Sequence, residues 1–328
     1  MVRTIILAVM VLFAVGCCSG EKLQNSYMKG RNLYKDLPKD GRFVHYLGQK
    51  YKKQDYRKLK QIEIAEFKSY LKRKYNAPFK FRTTKYFNIA YRCSEKRMNH
   101  LQHYLLAFFR EIYPRFFRYE PLHVCKVIYF ENWNAYRRYT GSYAYGFYSP
   151  SEITITTHAY SGYGTLWHEL IHVFVHENMK QDPQQWFNEG FASFYEFANL
   201  FGGRVVDGYT NWRMPYLKRA IRSKRLMHLK DFMKEKWMSG SYGYSAARFL
   251  FCYLYMNNVM GDFVKAYIFD LSPRYSGKKL GEMAIKKMES LTGKSINVMH
   301  KEYVKLALRL RMNKRLVKVQ RGMPISGR

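Results

Sequence analysis

Residues 164–196 read GTLWHELIHVFVHENMKQDPQQWFNEGFASFYE and contain two helical patterns, 164–178 and 185–200. Leu166, Leu170, Val173 and Phe174 recur at helical spacing and give the first segment its apolar face. His168-Glu169-Leu170-Ile171-His172 is an HExxH motif within it. The i, i+4 spacing puts both imidazoles on one face, where their ring nitrogens can converge on one Zn²⁺. Glu169 is offset from His168 by about 100° around the helix, so it can reach the open side of the metal without ligating it. There it serves as general base toward a water that the metal acidifies. A catalytic zinc takes three protein ligands, and a carboxylate on the next helix is one way to supply the third. Glu189, in Trp186-Phe187-Asn188-Glu189-Gly190, follows His172 after 16 intervening residues.

With these residues in place, the chain resembles the gluzincin metallopeptidases. NEGFASFYE (188–196) is similar to the second zinc motif of the aminopeptidase N family. The wider frame resembles the peptidase-MA-like domains of exported bacterial proteins: a GFYSP-type segment (Gly146–Pro150), then HExxH, then a W-x-N-E-G helix. The likeness covers roughly residues 80–260 and is most specific over 146–196. It implies one Zn²⁺ per chain held by His168, His172 and Glu189, with Glu169 as base. It also implies a Tyr on a downstream helix that stabilises the oxyanion, with Tyr244 the better aligned and Tyr242 the reserve. The implied activity is zinc-dependent hydrolysis of peptide bonds in a peptide or protein substrate.

Departures from the pattern narrow that expectation. The G-x-M-E-N segment, whose Glu holds a substrate's free amine in the aminopeptidases, is absent from GFYSPSEITITT, and Gly281-Glu282-Met283 falls in the wrong place. Endopeptidase activity is therefore favoured over aminopeptidase activity. The thermolysin-like pattern has an Asp four residues after the ligand Glu, and this chain has Ser193 there. Support for the ligand histidines must come from elsewhere, with Glu196 either that support or a surface residue. His158 and His176 are expected to line the cleft or face solvent rather than ligate.

Outward from the motif, residues 55–75 read as a helix, Lys85–Ala90 as a strand, and Ser94 as the N-cap of a helix with Met98, Leu101, Leu105, Phe108 and Ile112 on one face. His123–Phe130 is a strand, 131–139 a short helix and Gly141–Pro150 a turn-rich segment. Glu152–Thr157 (EITITT) alternates at period two and is expected to bind an extended peptide along its edge. Residues 212–312 read as mostly helical. The fold class is α+β: a zincin-like domain, with a small mixed sheet and an active-site helix, continuing into a mainly helical C-terminal half. The expected divisions are a signal peptide at 1–20, a basic region at 21–80, the peptidase-like domain at 81–260 and a basic helical extension at 261–328.

The N-terminus, MVRTIILAVMVLFAVGCCSG, has one Arg before an apolar run from Ile5 to Val15, too short to span a bilayer. It reads as a secretory signal. Ala14-Val15-Gly16-Cys17 resembles a lipobox with Ala where Leu is usual, so both a lipid anchor at Cys17 and ordinary cleavage stay open. Export to the cell envelope or periplasm, lipid-anchored or otherwise secreted, follows. An oxidising compartment would allow a Cys93–Cys125 bridge, while Cys252 lies in an apolar run and reads as a buried thiol.

The 328 residues carry a formal charge of +33, and 18% are aromatic. That apolar content excludes a disordered polycation, but the charge alone suggests a polyanion. Its distribution argues against nucleic acid. Residues 21–100 hold 22 Lys and Arg against 7 acids and residues 201–328 hold 27 against 8, whereas 141–200 hold only Lys180 against 6 acids, with four of the ten His. A site for Zn²⁺ should be locally acidic and His-rich, so basicity belongs to the flanks and suits an anionic envelope surface. The alternatives are a zinc-scaffold binding protein of the envelope and a basic polyanion-binding surface protein.

Overall fold

The β-branched and aromatic run Cys125–Phe130 (CKVIYF) is the central strand of a five-stranded mixed sheet. The computed structural model describes residues 43–46, 49–52, 56–75, 77–118, 121, 124–179, 181–238 and 240–312. The expected signal peptide, Cys17 and the basic stretches 21–42 and 313–328 lie outside the described residues. In chain order, a hairpin of β1 (Phe43–Tyr46) and β2 (Gln49–Lys52) precedes helix α1 (Tyr56–Tyr75), β3 (Lys80–Thr83), β4 (Phe87–Tyr91) and α2 (Glu95–Phe116). Then come β5 (Cys125–Phe130), α3 (Trp133–Thr140), β6 (Gly146–Ser149), β7 (Thr154–His158), α4 (Tyr163–Asn178) and α5 (Gln185–Tyr195). A hairpin of β8 (Asn199–Phe201) and β9 (Arg204–Val206) leads to α6 (Met214–Arg222), α7 (Leu229–Phe232), α8 (Gly240–Met256), α9 (Met260–Ala266), α10 (Gly277–Thr292) and α11 (Ile296–Arg309). The chain is thus α+β, with a mixed sheet and a mainly helical C-terminal half.

The sheet order is β3-β4-β5-β7-β6, with β4, β5 and β7 parallel and the outer strands β3 and β6 antiparallel to their neighbours. Parallel strands need both faces covered, and the alternation along β5 shows the division. Val127 and Tyr129 join the main core with Leu101, Phe108, Leu170 and Phe174, whereas Ile128 and Phe130 join Phe67, Leu71 and Tyr75 of α1 and Tyr136 of α3. The face of α2 legible in the sequence (Met98, Leu101, Leu105, Phe108, Ile112) is completely buried. Ser94 caps that helix, its Oγ accepting from the Arg97 amide at 3.4 Å. Beyond residue 260, Phe263, Tyr267, Leu280, Met288 and Tyr303 belong to the same main cluster as helix α4. Among the described residues, no helix is long and apolar enough to cross a membrane.

Four expectations change. The strand from Glu152 is not an edge: β7 runs between β5 and β6, and the last strand on that side is β6, within the segment read as turns. The second helical pattern stops at Tyr195 rather than 200. The hairpin that follows turns at Gly202 and Gly203, whose φ of 54° and 76° match the two left-handed positions of a tight hairpin turn. Cys93 and Cys125 are free thiols. In the parallel register Phe87 pairs with Cys125, so Cys93 lies six residues further along, about 20 Å away at strand rise. Cys252 is buried as expected. Finally, of the two places expected for His158 and His176, the cleft lining or the solvent, the second is excluded, since they are 2% and 7% exposed.

Candidate metal centre

Helix α4 is held by its apolar side against α2. Trp167 stacks on Phe108 at 4.9 Å between ring centres, and Phe174 meets Phe109 and Tyr113 edge-on. This packing turns His168 and His172 toward α5. The approach of α5 to α8 depends on Gly190, where an added Cβ would stand 2.8 Å from the Ala247 carbonyl oxygen and from the Phe251 ring. Glu189, one residue earlier, thereby faces the two imidazoles.

His168 Nε2 and His172 Nε2 are 3.0 Å apart, and the Glu189 oxygens lie 3.4 Å from the first and 3.7 Å from the second. Ligand atoms on a tetrahedral zinc with bonds near 2.0–2.1 Å stand about 3.3 Å from each other. His168, His172 and Glu189 thus form a group able to hold a metal ion. The outer nitrogens each meet an oxygen. His168 Nδ1 is 3.1 Å from Glu196 Oε1, and His172 Nδ1 is 3.0 Å from Asn188 Oδ1. With each Nδ1 beside an oxygen, the two Nε2 atoms are left facing one place, an arrangement that repels unless a cation lies between them. The donor set fits a divalent metal.

Electrostatics agree. Burial opposes charge on His168, but Glu189 and Glu196 outweigh it and hold the imidazole up at about 10. The carboxylates therefore favour a cation here, which is a proton when no metal is bound. Burial pushes Glu189 up, yet His172, His168 and Arg213 pull it below its ordinary value. Glu196 is also buried, but His168 and Arg213 keep it far below the carboxylate range. Arg213 donates through Nε (2.9 Å) and Nη2 (2.6 Å) to its two oxygens, and Asn211 Nδ2 donates at 3.1 Å. Glu196 is thus the support for His168 that Ser193 does not provide. Glu196→Gln should lower metal affinity about 10–100-fold while leaving stoichiometry at saturation near one, as read by competition with a chromophoric chelator.

Glu169 is buried, and burial raises its carboxyl pKa against the pull of His168 and His172. The Tyr148 backbone amide hydrogen-bonds to it. The Tyr148 hydroxyl reaches the other end of α4, 2.6 Å from His176 Nδ1. Strand β6 is therefore tied to α4 both at the proposed base and at His176. Burial lowers His176 to about 3. Its folded pKa lies below the unfolded value of about 6.5, so the unfolded chain binds the extra proton and stability declines as pH falls between the two. In chelator-treated protein, this group should account for roughly 3 kcal/mol of the stability lost between pH 7 and pH 4, estimated from the shift. His176→Gln should flatten that limb in urea unfolding by the same order. His158 sits elsewhere, 5.2 Å from the Trp133 and Tyr136 rings, with its Nδ1 accepting from the Tyr160 amide.

Tyr244, on α8, accepts a hydrogen bond at 3.4 Å from Gln185 Nε2, and the Arg213 guanidinium stands 5.5 Å from its ring centre. The structure brings Tyr244 to the arginine that holds Glu196. Tyr242 is two residues earlier on that helix, about 200° around it. Asn188, Asn211 and Arg213 are the site residues that sequence reasoning did not identify. Asn188 carries a local signal, since it directly precedes the ligand Glu189. Asn211 and Arg213 reach Glu196 across 15 and 17 residues and carry none.

A scan against protein-family models and a search of curated proteins give no match for this chain.

Proposed function

We propose that the protein is an exported, gluzincin-like zinc peptidase with a zincin-like fold that cleaves internal peptide bonds. The observation that carries this reading is the convergence of the His168 and His172 Nε2 atoms and the Glu189 carboxylate, with buried Glu169 beside them. Two imidazoles and one carboxylate suit zinc and leave a coordination position for water or substrate. Zn²⁺, when bound, supplies Lewis acidity toward water and toward the scissile carbonyl.

The chain's own residues do the rest. Glu169 accepts a proton from water as that water attacks the carbonyl carbon, and then delivers the proton to the leaving amine. Its raised pKa suits both halves of this transfer. Glu196 and Asn188 hold the ligand imidazoles in place. Tyr244 donates from its hydroxyl to the oxygen that gains negative charge. An extended substrate adds as a strand along β6, whose Tyr148 amide faces Glu169, rather than along β7. The locally acidic character of 141–200 supports a cation site over a polyanion-reading one.

Cleavage-site profiling on a diverse peptide library tests the reading. Wild type should cut at internal positions and Glu169→Ala should not. Removal of single N-terminal residues only would point to an aminopeptidase. Absence of any cut in zinc-loaded wild type would leave the zinc-scaffold binding protein as the reading.

A further inference from the structure

Around α6 the surface combines an excess of positive charge with exposed aromatic rings. Residues 208–230 contain seven Lys and Arg and no Asp or Glu. Met214, Leu217 and Ala220 bury the inner side of α6. At about 100° per residue this leaves Lys218, Arg219 and Arg222 on the outer arc, where they line one shallow surface depression. Trp212 and Tyr216 flank it, 52% and 41% exposed, their rings 6.2 Å apart and edge-on. The described C-terminus meets this face: Lys218 Nζ donates to the Leu310 carbonyl at 2.6 Å and Thr210 Oγ1 to that of Arg311 at 2.7 Å.

We propose that the α6 face docks on an anionic phospholipid bilayer. Arg219 and Arg222 meet headgroup phosphates, and Trp212 and Tyr216 lie in the interfacial layer. A helix buried on one side that presents Arg219, Arg222 and Tyr216 on the other, with Trp212 just ahead of its first turn, matches a bilayer surface in both charge and polarity. A nucleic acid would match the charge but offers no apolar layer for the two rings. Arg213 joins this face to Glu196 and so to His168, which places the metal centre beside the docked surface. The proposal does not depend on peptidase activity.

The test uses the mature chain without the expected signal segment 1–20, which removes both its apolar run and any lipid anchor at Cys17, with vesicles of phosphatidylcholine with or without phosphatidylglycerol. Binding should require phosphatidylglycerol and weaken with salt. Arg219→Gln with Arg222→Gln should lower partitioning about 30-fold at low salt. Both side chains are exposed, so circular dichroism should be unchanged. Brominated phosphatidylglycerol should quench tryptophan fluorescence, less so in Trp212→Phe. Equal binding to neutral vesicles, undiminished binding of the double variant, quenching independent of Trp212, or duplex DNA binding that anionic vesicles fail to displace would each overturn the proposal.

Discussion

Glu169→Gln is expected to lower peptide hydrolysis about 10³-fold while zinc content stays near one per chain. General-base transfer contributes on the order of 10²–10⁴ in rate. The amide is isosteric with the carboxylate and its oxygen can still accept from the Tyr148 amide, so β6 should stay in place. Glu169 is not among the three converging donors, so metal affinity should change little. A variant that loses zinc together with activity would assign Glu169 a ligand or structural role. A variant that retains wild-type hydrolysis would remove it from the chemistry.

Gly164→Ala is expected to damage the site from a position that contacts no ligand. A Cβ there would overlap the Glu196 carbonyl oxygen and stand 2.8 Å from the carbonyl carbon, both main-chain atoms that cannot rotate away. Overpacking of this kind costs about 1–3 kcal/mol, and more where neither backbone yields. Any relief must separate the start of α4 from Glu196, and so disturb the 3.1 Å contact with His168 Nδ1. The variant should unfold at a lower temperature and bind zinc about 10–100-fold more weakly, the loss that follows from removing a ligand's supporting contact. Gly162→Ala, in open space two residues earlier but at φ +80°, separates the effects: its strain should reduce stability without the zinc defect.

The contrast between these two residues shows what the sequence carries. HExxH, its apolar face and the N-E-G helix are local patterns, so the candidate ligands and the proposed base are readable from spacing, and the structure brings the three donors together. The α2 face and the helical C-terminal half are periodic and equally plain. Glu196 could not be separated from a surface residue, because Asn211, Arg213 and His168 reach it only through the fold. EITITT alternates as a half-exposed strand would, yet Thr154, Thr156 and Thr157 are buried. Local acceptors satisfy part of that polarity: Thr154 Oγ1 donates to the Glu152 carbonyl and Thr157 Oγ1 to that of Tyr145. Polarity therefore mimicked an exposed face in an interior strand. Strand order is a property of pairing between distant segments, and that is where the edge passed from β7 to β6.

The most direct measurement is a zinc titration of chelator-stripped protein followed by metal content and by cleavage of an internally quenched peptide. Both should rise together and level off at one zinc per chain, and His172→Ala should bind no stoichiometric zinc and cleave nothing. Hydrolysis that is indifferent to metal removal, or wild-type protein that takes up no zinc, would contradict a metallopeptidase centre at His168, His172 and Glu189.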